Sequence, residues 1–216
     1  NVNTRQTNVI LGDKERTLFG PGFILDELCG LSFRISSKSF YQVNSTQTEV
    51  LYCRAIEMAK LAGIEVLMDA YCGTGTIGLV AARGVDGNPG AARVIGVEER
   101  PDAVVDARNN ARHNGIKRAE FVAADAGEYM HRMADEGAPL DVLMMDPPRA
   151  GSTPEFLKAA CELAPKRIVY ISCNPQTQAR DAAFLVERGW RIVEMQPVDM
   201  FPHTSHAENI ILLERR

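Results

Sequence analysis

The sequence predicts an α/β chain built on a doubly wound, mostly parallel sheet of seven strands. Three observations carry this. From Val66 onward, short apolar runs alternate with helix-length amphipathic stretches, the order that lays helices over both faces of a parallel sheet. The runs are apolar at consecutive positions, as strands covered on two sides require. A glycine-rich turn, Gly73-x-Gly75-x-x-Gly78, follows the first run directly and opens a helix, which makes the arrangement Rossmann-like.

The strands are expected at Val66–Met68, Val94–Val97, Phe121–Ala123, Leu140–Met145, Ile168–Ile171, Arg191–Met195 and Asn209–Leu213. Helices are expected over Pro101–His113, Pro154–Leu163 and Gln176–Arg188. The first two begin with a proline suited to the first turn, and the third stops at Gly189. The last two strands are joined without a convincing helix, so the sheet is expected to end antiparallel. Residues 1–44 read differently. Asn8–Leu11 and Leu31–Ile35 are strand-like, broken by Gly12-Asp13, Gly20-Pro21-Gly22 and Gly30, and no helical period is visible. The prediction is a small β-rich N-terminal segment over 1–44 and a main domain over 45–216. The main domain begins with a helix from Ser45 to about Leu61, capped by Asn44 or Ser45 and ended by Gly63.

Bulk properties narrow the function. The chain has 216 residues, enough for one full α/β domain with a small extension. Its net charge of -4 gives no global basic field of the kind a dedicated nucleic-acid binder carries. Five scattered cysteines without a Cys-x-x-Cys pair make a poor disulfide framework and a poor metal site, and point to reduced thiols in the cytoplasm. No apolar run is long enough to span a bilayer, and no signal peptide is visible.

The glycine turn by itself fits a dinucleotide, S-adenosylmethionine or a plain tight turn. Charge separates the first two. A pyrophosphate would be repelled by Asp69 at the strand end, whereas a sulfonium and an ammonium would be attracted. Glu98 closes the second strand where ribose hydroxyls are bound, and Asp125, after the third, is placed to face an adenine. The structural alternative is that Asp69 and Asp125 are strand ends or helix caps. Asp146-Pro147-Pro148-Arg149 ends the fourth strand at the same edge. Methyltransferases acting on exocyclic amines have a similar motif, but with an aromatic residue where this chain has Arg149. Ser172-Cys173-Asn174-Pro175 ends the fifth strand; a helix starting at Pro175 would set its positive end by the Cys173 thiol and lower its pKa. A thiolate adding to carbon 6 of a uracil would make carbon 5 nucleophilic, and a general base would then have to remove the carbon 5 proton. Glu208 could be that base; His203 and His206 are alternatives or positioning groups. A zinc site at His203-x-x-His206 lacks a helical frame.

Together these segments resemble the RNA uracil-5-methyltransferases, which act on ribosomal or transfer RNA. The resemblance covers nearly the whole chain. It rests on Phe40-Tyr-Gln-Val-Asn44, Asp69 to Gly75, Asp146-Pro-Pro-Arg-Ala-Gly151, Ser172-Cys-Asn-Pro175, and Met200-Phe-Pro-His-Thr204 with His206 and Glu208. It implies a class I methyltransferase fold and S-adenosylmethionine as cofactor, with no metal. It implies Cys173 as nucleophile and Glu208 as proton acceptor, and cofactor contacts from Gln42, Tyr71, Glu98 and Asp146, with Thr76 and Asp125 in addition. Asn1 to Gly12 is similar to a stretch of bacterial 23S ribosomal RNA (uracil-5-)-methyltransferases, which favours ribosomal over transfer RNA. Family members often carry an upstream RNA-binding β-barrel and a four-cysteine iron–sulfur site. This chain has neither, and is expected to be the C-terminal catalytic part, with 1–44 the remnant of a substrate-side domain. Arg149, Lys158, Lys166 and Arg180 are candidate phosphate contacts. Competing readings are an amine methyltransferase, a non-catalytic cofactor-binding module and a dinucleotide-linked oxidoreductase.

Overall fold

The computed structural model describes residues 15–37, 39–85 and 87–216. In chain order it contains β1 (Phe23–Leu28), β2 (Leu31–Ser36), α1 (Ser45–Ala59), β3 (Val66–Ala70), α2 (Thr76–Arg83), β4 (Arg93–Glu98), α3 (Pro101–His113) and β5 (Ala119–Ala123). Then follow α4 (Ala126–Asp135), β6 (Val142–Met145), α5 (Pro154–Leu163), β7 (Arg167–Ser172), α6 (Pro175–Val186), β8 (Trp190–Val198) and β9 (Glu208–Arg215). Seven strands form one sheet in the order β5-β4-β3-β6-β7-β9-β8. The first five run parallel, and β9 pairs antiparallel with both β7 and β8.

Each expected strand and helix of the main domain is present. The strands β3, β4, β6, β7 and β9 are buried on both faces: one core joins α1, α2 and α3 to the sheet, and a second joins α4, α5 and α6 on the other side. Two details differ from expectation. α1 ends at Ala59, with Lys60 in the left-handed region as its cap, three residues before Gly63. α4 was not foreseen between the third and fourth strands. Its signal is local: the Asp125 carboxylate accepts from the backbone N–H of Glu128, and Met130 and Met133 form the buried stripe.

β1 and β2 form a separate hairpin. Its inner residues Leu28, Leu31 and Phe33 join the core of α1 to α3, while Ile24 and Leu25 are exposed. Asn110 of α3 and Asn114, which caps it, fasten the hairpin by accepting from the backbone N–H groups of Arg34 and Ser32, both at 2.9 Å. The strand expected at Asn8–Leu11 lies outside the described residues.

The glycine turn is set by close approach. Gly75 has φ +80°, and a methyl there would sit 2.7 Å from the Phe121 ring and 3.0 Å from Ala107. Gly75→Ala combines a left-handed penalty of about 1–2 kcal/mol with overpacking of about 1–3 kcal/mol. The expected result is a clear drop in the thermal unfolding midpoint; an unchanged midpoint would show that the Phe121 contact is not fixed.

Candidate active site

Sheet topology gathers the predicted residues at one edge. β3, β4, β6 and β7 all end there: Tyr71, Asp146 and Cys173 follow β3, β6 and β7, and Glu98 is the last residue of β4. β9 is antiparallel to β7, with Asn209 opposite Ser172, so it begins where β7 ends. That reversal brings Glu208 beside Cys173 from a remote part of the sequence.

A cavity of about 610 Å³ opens at this edge. Gln42, Tyr71, Glu98, Asp125, Asp146, Cys173, His206 and Glu208 all line it, together with Gly73 and Arg149. Gln42 arrives through Asn44. The Asn44 side chain accepts from the Gln47 N–H at the start of α1 and donates to the carbonyl of Met200, tying the segment before α1 to the loop before β9. Tyr71 takes a left-handed φ of +63° and stacks tilted on Phe156, ring centroids 5.0 Å apart.

Three predicted residues, Thr76, Asp69 and His203, are not in the lining. Thr76 sits at the first turn of α2, where its hydroxyl pairs with the Tyr52 hydroxyl at 3.1 Å. Asp69 is buried behind the turn and accepts from the backbone N–H of Gly78 at 2.8 Å. Burial pushes its carboxyl up to about 7, against the pull of that hydrogen bond. Asp69 therefore braces the turn and does not face a ligand. Asp125 does both things the sequence allowed: it caps α4 and lines the cavity. Conversely, Phe40, Arg100 and Phe201 line the cavity without having been singled out as contacts. Phe40 is 77% exposed at the rim, and its place in the Phe40–Asn44 motif was the available signal.

The electrostatics are acidic. Glu98, Glu99, Asp125, Asp146 and Glu208 face only Arg100 and Arg149 among the charged lining residues. Glu98 is engaged by the backbone N–H groups of Gly73 at 3.1 Å and Arg100 at 2.9 Å. Asp146 has no hydrogen-bond donor among the described residues. Burial, then Glu208 and then Asp69, push its carboxyl up to about 8. Burial also raises Glu208, with Arg149 pulling it down. Cys173 departs from expectation: burial first, then Glu208 and Asp146, push its thiol up, outweighing Arg149, whose guanidinium is within hydrogen-bonding reach. Two carboxylates beside the thiol oppose the start of α6.

The site suits a cationic ligand. A carboxyl without a donor, a surplus of acids, and a turn at Gly73 where an added methyl would meet nothing within 4 Å fit a sulfonium with an adenosine attached. They oppose a pyrophosphate. Two proposed phosphate contacts are otherwise occupied. Lys166 pairs with Asp141 at 2.8 Å, at the opposite edge of the sheet. Arg180 pairs with Asp181 at 2.7 Å. Lys158 is exposed on α5, outside the cavity. Among the described residues no cluster of three or more His, Cys, Asp or Glu could hold a metal ion.

Comparison with known proteins agrees with this geometry. An uncharacterized RNA methyltransferase of Clostridium acetobutylicum is 46% identical over 215 residues, covering 100% of this chain and 45% of that protein. One from Lactobacillus johnsonii is 49% identical over 215 residues, covering 46% of its length. The chain thus spans about half the length of these relatives. The tRNA (uracil-54, C5)-methyltransferase of Pyrococcus abyssi, solved with S-adenosyl-L-homocysteine, superposes with a TM-score of 0.78 at 35% identity, over 98% of this chain and 49% of that one. A SAM-dependent methyltransferase from Agrobacterium tumefaciens, 16% identical with a TM-score of 0.69 over 93% of this chain and 72% of its own, shares the fold. The family model for tRNA (uracil-5-)-methyltransferases matches residues 26–216, and with these relatives it shows that the chain belongs to the tRNA (uracil-5-)-methyltransferase family.

Proposed function

We propose that this chain is the catalytic part of an RNA methyltransferase that uses S-adenosylmethionine to methylate carbon 5 of a uracil. The observation that carries the reading is the convergence of Cys173, Glu208, Asp146 and Arg149 on the cavity that the Gly73 turn and Glu98 also line. In this reading Gln42, Tyr71, Glu98, Asp125 and Asp146 hold the cofactor, which when bound supplies an electrophilic methyl group for carbon 5. The Cys173 thiolate adds to carbon 6 of the base and turns carbon 5 into a nucleophile. Glu208, raised towards neutrality by burial, takes the carbon 5 proton, and the thiolate then leaves. The base must leave its stack to reach a half-buried thiol. Thr76 steadies α2 through Tyr52 and acts on the cofactor only indirectly.

The domain division belongs to the same proposal: 45–216 is the catalytic domain, and 1–44 is a substrate-side segment whose hairpin is anchored on α3. The setting is the cytoplasm, and among the described residues no helix is long and apolar enough to cross a membrane. Ribosomal RNA is the preferred substrate, on the strength of the Asn1 to Gly12 resemblance, which lies outside the described residues. Transfer RNA is the second reading, favoured by the matching family model and by the Pyrococcus abyssi relative. Methyl transfer to 23S fragments and to tRNA transcripts, run side by side, separates the two.

The reaction is tested by incubating the chain with S-adenosylmethionine and RNA carrying 5-fluorouridine. Fluorine cannot leave as a proton, so a denaturant-resistant adduct on Cys173 is expected; its absence, with cofactor binding intact, would overturn the carbon 5 reaction.

Cofactor affinity should depend on pH. With its carboxyl up at about 8, Asp146 holds a proton through neutral pH in the free chain. A cation favours the carboxylate and displaces that proton. Affinity is therefore expected to climb by up to about tenfold per pH unit between about pH 6 and 7.5, with proton release on binding. Calorimetry in buffers of different ionisation enthalpy reads this directly. Asp146→Asn should flatten the dependence.

A further inference from the structure

The loop carrying Asp146 and Arg149 is clamped from behind by α6, the helix that begins just after Cys173. Asp181 is 1% exposed, and its carboxylate is fully used. One oxygen accepts from the backbone N–H of Ser152 at 2.8 Å and from the Tyr170 hydroxyl at 2.9 Å. The other accepts from Arg180 Nε at 2.8 Å and Nη2 at 2.7 Å. Arg180 Nη2 also donates to the carbonyls of Ala150 at 2.9 Å and Ser152 at 3.3 Å. Asn174 and Thr177 donate to the carbonyl of Arg149 at 3.1 and 3.2 Å. Gly151 leaves no room for slack: at φ +77°, a methyl there would lie 2.5 Å from Arg180 Nη2 and 2.6 Å from Asp181 Oδ2. The Ser152 hydroxyl then meets the Tyr71 hydroxyl at 3.4 Å, so the same clamp reaches the other wall of the cavity.

We propose that Arg180 and Asp181 form a positioning pair that fixes residues 149–152 on α6, and thereby holds the Arg149 guanidinium against the Cys173 thiol. This goes beyond a structural brace because of what faces the thiol. Glu208 and Asp146 oppose its ionisation, and Arg149 is the cation that most strongly favours it. The thiolate therefore depends on where the loop puts Arg149, and the loop depends on Asp181. The Arg180 charge, the pair's outward half, is satisfied within the protein and is not offered to RNA phosphate.

The proposal rests on Cys173 as nucleophile, but its test needs no turnover. The rate of iodoacetamide alkylation at Cys173 is followed against pH by peptide mass spectrometry, with the other cysteines as internal references. In Asp181→Asn an amide N–H must face either the Ser152 N–H or the Arg180 guanidinium, so the clamp opens. Alkylation of Cys173 at pH 7 is expected to slow about tenfold, equivalent to one pKa unit, with the other cysteines unchanged. Arg149→Met should give the same slowing directly, and Arg180→Gln, an exposed change, should reproduce it if Asp181→Asn fails to fold. Gly151→Ala opens the clamp without altering a charge. Folded variants that alkylate Cys173 at the unsubstituted rate would overturn the positioning role, as would an unchanged rate in Arg149→Met. A missing 5-fluorouridine adduct in the unsubstituted chain would instead sink the reaction and leave the thiol measurement standing.

Discussion

Cys173→Ala is expected to remove methyl transfer to RNA entirely, a loss of at least about three orders of magnitude, while cofactor affinity stays within about twofold. The asymmetry follows from position. Cys173 is half-buried on the cavity wall after β7, with Arg149, Glu208 and Asp146 acting on it. The turn at Gly73, together with Glu98 and Asp125, belongs to β3, β4 and α4. In the proposed reaction, removing one sulfur therefore takes away the group that activates the base and leaves the residues proposed to hold the cofactor in place. Methylation that persists in Cys173→Ala would instead favour an amine-directed reaction, in which no covalent adduct is needed.

The alternation of apolar runs with helical stretches made the sheet legible, because strands buried on both faces must be apolar throughout. The candidate cavity was legible where a polar group lines it from a strand's carboxyl end, as at Glu98, Asp146 and Cys173. Other positions were hidden for physical reasons. Asp69 has the charge and location of a ligand contact, yet the backbone N–H of Gly78 captures it, which only the turn's geometry reveals. Arg180 looked like a surface cation, and its partner is the next residue in the chain, buried by the loop above it. The thiol's upward shift is hidden in the sequence because the opposing carboxylates come from the loop after β6 and the start of β9, away from Cys173 along the chain. Gln42 owed its selection to the family resemblance alone; nothing in its immediate surroundings marks it, and its place in the cavity depends on the Asn44 link to Met200.

Glu208→Gln should stop the reaction at its midpoint. Glutamine fills the same space but cannot accept the carbon 5 proton, so the methylated adduct keeps that proton and the sulfur cannot leave. With ordinary uridine RNA and S-adenosylmethionine, a denaturant-stable complex is expected to accumulate to about one RNA per chain, its mass including the transferred methyl, while steady turnover falls by at least about a hundredfold. The first half of the reaction should not suffer. Glu208 is the largest charge raising the Cys173 pKa, so its loss lowers that pKa and speeds alkylation of the thiol near neutral pH. Faster thiol chemistry together with a stalled product is a pairing that general damage to the site cannot produce. His206 lines the same cavity from an exposed position and is the competing acceptor. If it removed the proton, His206→Ala would accumulate the adduct and Glu208→Gln would turn over. The burial that raises Glu208 argues for the opposite outcome, because a carboxylate raised towards neutrality is a stronger base than one left in solvent.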